Sequence, residues 1–352
     1  MRSIIASFLL LFLLLSFGTC GHNKQFHTPA NSSTLKNFSA SQTLEEVEFI
    51  RFDTLSPDGL LLYHDTVLII RNTSDNSTHH FTSINLNSRE LIGKHLEAGF
   101  KTGQSMDFLS YGIVSSNLWV YDLRKQKVIL NPILHSEREA SESNELALTS
   151  FYYSIQMDSD STIIGSGNYE SDYKQSRLKL TTVEDIDELI PYAKSGSKKL
   201  SREDKMANES FLSLKPSADK CVLAARYADQ IEIVDLESRE SIIVKGAEGF
   251  EADVSFMTGF DGAKLMARNA NTRFAAVRVK TTDNYIYVLF SGSKEQASYP
   301  NFGKNIYVYD WDGTAVKQIK LQDYLNDFVV TKDDTRIYTY NPQTKLLKTA
   351  EI

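Results

Sequence analysis

Cysteine is almost missing from this chain. Two thiols, Cys20 and Cys221, in 352 residues cannot build the disulfide framework of a small secreted domain, so stability has to come from buried apolar surface. Proline (7) and glycine (17) are too sparse for a collagenous or low-complexity chain, and a hydrophobic content of 41% marks a globular one. Histidine stops early: His22, His27, His64, His79, His80, His95 and His135 are all there are. With no Gly-x-Ser-x-Gly elbow either, a C-terminal hydrolase unit carrying its own Ser, Asp and His is excluded. Positive charge is in the minority, Lys+Arg 38 against Asp+Glu 45, and no long basic run exists, so nucleic acid is not an expected partner. Helical periodicity is scarce as well. It surfaces once, where Val183, Ile186, Leu189 and Ile190 share one helical face, and predicts a short helix or turn there.

What is present begins with an apolar leader. After Met1-Arg2, Ile4 to Phe17 is an apolar run of 14 residues broken only by Ser7 and Ser16. A membrane span needs about 20 apolar residues, so the run suits a signal-peptide core. Phe17-Gly18-Thr19-Cys20 resembles the lipobox of bacterial lipoproteins, with Phe where Leu is usual. The resemblance implies a signal peptide over 1–19, removed by cleavage, and a Cys20 that carries diacylglycerol on sulfur and an acyl group on its amine. Several acyl chains anchor far more firmly than one, at roughly 0.8 kcal/mol per buried CH₂. The partner expected from this is the membrane, reached through the lipid on Cys20. Residues 20–44 read as lipidated Cys and flexible tether, polar and aperiodic, able to hold the body roughly 25–30 Å from a bilayer. In relatives from Bacteroides-type bacteria, acidic residues after the lipidated Cys accompany export to the cell surface. Gly21-His22-Asn23-Lys24-Gln25 has none, so the expected location is the outer membrane, facing the periplasm. The Asn-x-Ser/Thr triplets at Asn31, Asn37, Asn72, Asn76 and Asn208 are then chance. Cys221, in the apolar run Cys221 to Ala225, has no thiol left to pair with and reads as a buried, inert side chain.

From residue 45 onward, segments of four to seven β-branched and aromatic residues recur between Asp, Asn, Ser and Gly, among them Val47 to Phe52, Thr66 to Arg71, Leu118 to Tyr121 and Tyr285 to Phe290. These are strand signals. Four segments share an apolar strand, a polar residue, a turn and a returning strand, with Asn85, Asp122, Asp235 and Asp310 as the markers. Asx side chains stop a strand by bonding the backbone two residues on, so each marker predicts a hairpin. The markers are separated by 37, 113 and 75 residues, with a degenerate copy at Ser176 to Leu180 and a last one near Lys345 to Ile352. A spacing near 50 suits four-stranded propeller blades, and residues 45–352 divide into six of about 51.

The C-terminal third carries a resemblance. Asn305 to Leu321 followed by Asp327 to Tyr338 looks like the penultimate-to-last blade of TolB-like six-bladed propeller lipoproteins of Bacteroides and its relatives. Gly99 to Phe108 stands where that family often has a Gly-x-Gly-Pro-x-Glu-Phe loop, here without the Pro and the Glu. The expected fold is therefore all-β: a six-bladed β-propeller over 45–352 behind a cleaved lipoprotein signal peptide, with a seven-bladed ring or two packed sandwiches as alternatives. Val47 to Phe52 is placed to complete the blade containing Ile337 to Tyr340.

Candidate chemistry is thin. His79-His80 point to opposite faces of a strand, and Asp158, Asp160, Asp333 and Asp334 lack the spacing of a calcium loop, so no metal or cofactor is expected. Gly93-Lys94-His95 and Gly99 to Thr102 lack phosphate-loop order. The basic stretch Lys194 to Arg202 beside Glu184 to Glu188 reads as solvated. No catalytic residue is nominated. Tyr173, Tyr299 and Phe302 lie in or beside long polar loops and are the ligand-contact candidates. The functional expectation is a non-catalytic binding or scaffolding module, with another envelope protein or a glycan as partner. The alternatives are a propeller enzyme of lactonase, glycosidase or lyase type, and a carbohydrate-binding accessory of a nutrient-uptake system.

Overall fold

Short apolar segments punctuated by Asx turns fold back on themselves as antiparallel meanders in the computed structural model, which describes residues 32–35, 37–53, 55–73, 77–133, 143–181, 186–192, 199–260 and 262–352. Blade 1 is built from Pro57–Tyr63, Val67–Asn72, His79–Asn85 and Leu91–Glu97, and blade 2 from Ser110–Val114, Asn117–Asp122, Lys127–Pro132 and Asn144–Ala147. Ser154–Ser159, Thr162–Ser166, Tyr173–Lys179 and Ile186–Pro191 make blade 3, and Ser210–Leu214, Lys220–Ala225, Gln230–Asp235 and Ser241–Lys245 make blade 4. Blade 5 comprises Ala276–Thr281, Tyr285–Phe290, Gly303–Asp310 and Ala315–Leu325. Blade 6 takes Asp327–Val330, Arg336–Asn341 and Leu346–Glu351 from the C-terminus and its fourth strand, Val47–Arg51, from the other end of the chain.

Packing decides the blade count. Residues of a strand alternate between its two faces, and a sheet buried on both sides can give each face to a different neighbour. Leu118 and Val120 join Ile69 and Phe81 of blade 1, while Trp119 and Tyr121 join Tyr152, Ile155 and Ile163 at blade 3. In blade 5, Ile286 and Val288 pack toward blade 4, and Tyr287 and Leu289 toward blade 6. The remaining two clusters join blade 3 to blade 4 and blade 6 to blade 1. Every blade thus meets two neighbours, and the ring closes at six, not seven. Each fully buried Leu, Ile, Val or Phe contributes about 1.5–3 kcal/mol, so these interfaces are the bulk of the stability.

All four markers end a strand at a hairpin turn, Asp122 with its Oδ1 accepting the Lys125 N–H at 2.9 Å. Asn85, Asp235 and Asp310 end third strands, and their side-chain oxygens accept N–H bonds from Asn87, Glu237 and Asp312 at 2.8, 3.1 and 3.0 Å. Asp122 differs: it ends the second strand of blade 2, so the marker series was one strand out of step there.

Two expectations need correcting. Ile186–Pro191 is a strand, not a helix. Its register shifts opposite Gln175, which lets Leu189 and Ile190 both be buried, and pairing with Tyr173–Lys179 overrides the local helical spacing. The single helix among the described residues is Arg202–Ala207, capped by Ser201, whose hydroxyl accepts the Asp204 N–H at 3.3 Å. Part of the expected tether is also structured. Ser32–Thr34 and Ala40–Thr43 run parallel to Ser241–Lys245 and Ala315–Leu325 as fifth strands of blades 4 and 5. They are polar and largely exposed, so backbone bonds hold them and no apolar alternation announces them. Residues 1–31, including the leader and Cys20, lie outside the described residues.

Candidate functional site

The innermost strands of the six blades surround the axis, and the end at which they begin is called the upper face here. A channel of about 1250 Å³ follows the inner strands. A smaller pocket of about 210 Å³ opens at its upper mouth, walled by Ala276, Val277 and Phe302. Three residues line both spaces and form the neck between them: Phe211, Arg226 and Arg278.

Strand periodicity places the charges. In Ala276–Thr281, Arg278 and Lys280 are two residues apart and therefore on one face. Lys280 Nζ donates to the Leu60 carbonyl of blade 1 at 2.7 Å and lies 3.3 Å from the carboxylate of Asp327, the first residue of blade 6. Asp327 is fully buried, and its two oxygens accept the N–H groups of Leu60 at 2.7 Å and Phe328 at 2.8 Å. One carboxylate thus ties blades 5, 6 and 1 together where the ring closes. Burial lowers the Lys280 ammonium, with Asp327 opposing. Arg278 donates to the Asp58 carbonyl at 3.3 Å, and its Nε is 4.0 Å from Asp327. Arg71 stacks over Phe108 at 4.6 Å and Tyr111 at 5.4 Å, with Asp58 3.4 Å from its Nε. Burial raises the Asp58 carboxyl, while Arg71 and Arg278 pull it down.

Arg226 follows strand Lys220–Ala225, where its carbonyl accepts the Ala275 N–H at 2.7 Å and fixes blade 4 to blade 5. Its guanidinium donates to Tyr153 Oη at 2.8 Å and Glu209 Oε1 at 3.2 Å, and lies 6.0 Å from the Phe211 ring. Burial pushes Glu209 up, against the pull of Arg226. The Arg278 guanidinium is 5.8 Å from the same Phe211 ring. Two cations therefore flank one aromatic side chain at the neck.

Arg71, Lys215, Arg226, Arg278 and Lys280 line the channel together with Asp158 and Asp160. All of these cations but Arg278 have a carboxylate within 3.4 Å: Asp58 beside Arg71, Asp219 beside Lys215, Glu209 beside Arg226 and Asp327 beside Lys280. Asp158 is itself engaged by Arg177 at 3.4 Å.

Gly59 makes this wall possible. A Cβ there would come within 1.7 Å of Tyr111 Oη and 2.7 Å of its Cζ, so only glycine lets blade 2 approach blade 1 this closely. Gly59→Ala is expected to cost about 1–3 kcal/mol by overpacking, and Tyr111→Phe in that background to recover part of it. Urea unfolding of the two single variants and the double variant measures this; full additivity would show that the two side chains do not meet.

The residues nominated from sequence separate into two groups. Phe302 walls the upper pocket, and Tyr299 packs against it edge-on at 5.6 Å and against Tyr324 at 5.7 Å. Tyr173 is not brought to them: it opens the third strand of blade 3, opposite Pro191. Cys221 is fully buried, its thiol pushed up to about 12 by burial, with the Gln175 amide donating to its sulfur at 2.9 Å. His80 bonds the Ser105 carbonyl at 2.7 Å, and His79 the Thr78 hydroxyl at 2.9 Å. The neck residues were not nominated. Their signal is faint but readable: Arg278 and Lys280 are charges alternating with apolar residues in a segment whose partners are otherwise hydrophobic.

Also on the upper face is a hairpin between blades 4 and 5, Ser255–Thr258 with Lys264–Ala267, which packs against helix Arg202–Ala207 and exposes Met257 and Phe260. Among the described residues, no helix is long and apolar enough to cross a membrane.

The family model for TolB-like 6-blade propeller-like proteins matches residues 59–333. Among solved structures, the chain is similar to a protein from Bacteroides fragilis described as exported, at 11% identity and a TM-score of 0.53, covering 91% of this chain and 98% of that one. It is likewise similar to a member of the DUF4221 family from Bacteroides vulgatus, at 10% identity and a TM-score of 0.52, covering 90% and 97%. At these identities the likeness is one of fold. No curated protein matches the chain.

Proposed function

Given that the chain belongs to the TolB-like six-bladed propeller family, we propose that it is a non-catalytic binding module of the bacterial envelope, taking a small ligand at the upper mouth of its central channel. The observation that carries this reading is the neck, where Phe211, Arg226 and Arg278 stand between a pocket and a channel on the rigid inner strands. A lactonase, glycosidase or lyase would need carboxylates free to act on the axis. Asp58, Asp327 and Glu209 are instead held against Arg71, Lys280 and Arg226 as ion pairs, an arrangement that orients charge rather than relaying protons. The family places the fold; the role rests on the site.

Native mass spectrometry of the full chain extracted from envelopes tests the reading. A small molecule retained by the wild type and lost from Arg226→Ala supports it, and a ligand-free wild type counts against it. Anchoring is tested separately. Cys20→Ser is expected to move the protein from the membrane fraction to the soluble one, because the acyl chains are the proposed anchor; unchanged fractionation would remove the lipid from the account.

A second reading, an envelope protein as partner, is favoured by the hairpin, where Met257 is 54% exposed and Phe260 fully so. Single exposed apolar residues are ordinary, but two on one projecting hairpin form a contact patch. A glycan partner rests on Tyr299 and Phe302 without Tyr173.

A further inference from the structure

The geometry points to a small organic oxyanion with an apolar body as the ligand of the neck, its head group held between the Arg226 and Arg278 guanidinium groups and its body against Phe211 and Phe302. This inference rests on the proposed binding role and names its ligand class.

Three observations converge. The first is charge: Arg226 and Arg278 both reach the neck, and of the two only Arg226 has a carboxylate closer than 4.0 Å, Glu209 at 3.2 Å. A concave, low-dielectric wall strengthens the pull of the Arg278 guanidinium on an anion. The second is donor capacity. Arg278 spends Nη1 on the Val277 carbonyl at 3.1 Å and Nη2 on the Asp58 carbonyl at 3.3 Å, both neutral acceptors, and comes no nearer than 4.0 Å to a carboxylate. Of the cations at the neck it is the one least neutralised by the protein. Arg226 is held by Glu209 and Tyr153 through Nη1. A guanidinium has five N–H donors in a planar fork, so both side chains retain donors for the paired oxygens of a carboxylate or phosphate. The third is shape. The upper pocket, about 210 Å³, sets Ala276, Val277, Phe211 and Phe302 beside Asp58, Asn301 and Asn326, so it offers an apolar wall to the body of a small ligand and side-chain amides to its oxygens.

Carboxylate and phosphate heads share this chemistry, so both are used as probes. Isothermal titration of the mature chain with benzoate, phenyl phosphate, benzyl alcohol and benzylammonium compares two anions with a neutral and a cationic analogue of similar size. At least one anion is expected to bind about tenfold or more tighter than benzyl alcohol, the discrimination typical of a charge-assisted hydrogen bond, and benzylammonium not at all. The anion that wins identifies the head group. Arg278→Gln, checked by circular dichroism for an unchanged fold, is expected to remove at least about tenfold of the anion's affinity and none of the alcohol's.

Equal binding of benzyl alcohol and the anions by the wild type overturns the assignment without any variant having to fold. So does an Arg278→Gln protein that keeps full anion affinity. If none of the four compounds binds, the oxyanion assignment falls, whereas the binding role is judged by the retained molecule in native mass spectrometry and stands or falls on that result alone.

Discussion

Asp327→Ala is expected to lower the stability of the propeller by about 3–5 kcal/mol, the penalty for leaving one member of a buried ion pair without its partner. The side chain is fully buried and serves three blades at once. It takes the Leu60 N–H of blade 1 at 2.7 Å and faces Lys280 of blade 5 at 3.3 Å, and it begins the inner strand of blade 6. Its removal strands an ammonium whose one remaining close partner is the Leu60 carbonyl. For a chain of this size the loss corresponds to a fall in Tm of roughly 5–15 °C. Asp327→Asn retains an oxygen for the Leu60 N–H and should cost less than Ala. Lys280→Met removes the other charge, and the Asp327→Asn, Lys280→Met double variant should be less damaging than the two losses added. Chemical denaturation of the four proteins supplies the cycle. A cost for Asp327→Ala under about 1 kcal/mol would mean that the ring closes by apolar packing alone.

Why this clasp escaped a reading of the sequence, when the blades did not, is a matter of distance along the chain. Strands and hairpins are local, and residues such as Asn85, Asp235 and Asp310 announce their turns within four positions. Closure was legible too, because propellers commonly borrow an N-terminal strand to complete the last blade and Val47 to Phe52 is a strand signal placed to do so. The candidate site is different in kind. Asp58, Arg71, Arg226, Arg278 and Asp327 span 270 residues and meet only because a ring returns its last blade to its first. Read singly, each is an ordinary charged residue near a strand end. Phe302 and Tyr299 were within reach because a long loop concentrates them, and Tyr173 was not distinguished from them because its position depends on which blade its loop belongs to. Ser32–Thr34 and Ala40–Thr43 defeat pattern reading altogether, since a strand held by backbone bonds at an outer edge imposes no side-chain period.

Removing residues 32–53 is expected to leave a chain that unfolds more than about 10 °C lower or fails to fold. The strand Val47–Arg51 is antiparallel to Leu346–Glu351, and the Phe52 N–H bonds the Lys345 carbonyl at 2.9 Å. Apolar anchors accompany the pairing. Phe52 is buried against Tyr340, Phe49 packs edge-on to Tyr338, and Leu44 is fully enclosed in the cluster between blades 5 and 6. Loss of Phe52 alone is worth about 3–5 kcal/mol, in the range measured for buried Phe→Ala. The truncated blade would also present Leu346–Glu351 as an open edge, the kind of surface that pairs with another copy, so aggregation should accompany the lost stability. Phe52→Ala keeps the question open to measurement should the truncated chain not fold: it retains the strand while removing its main anchor, and a Tm within about 2 °C of wild type would show that the N-terminal strand decorates a ring already closed without it.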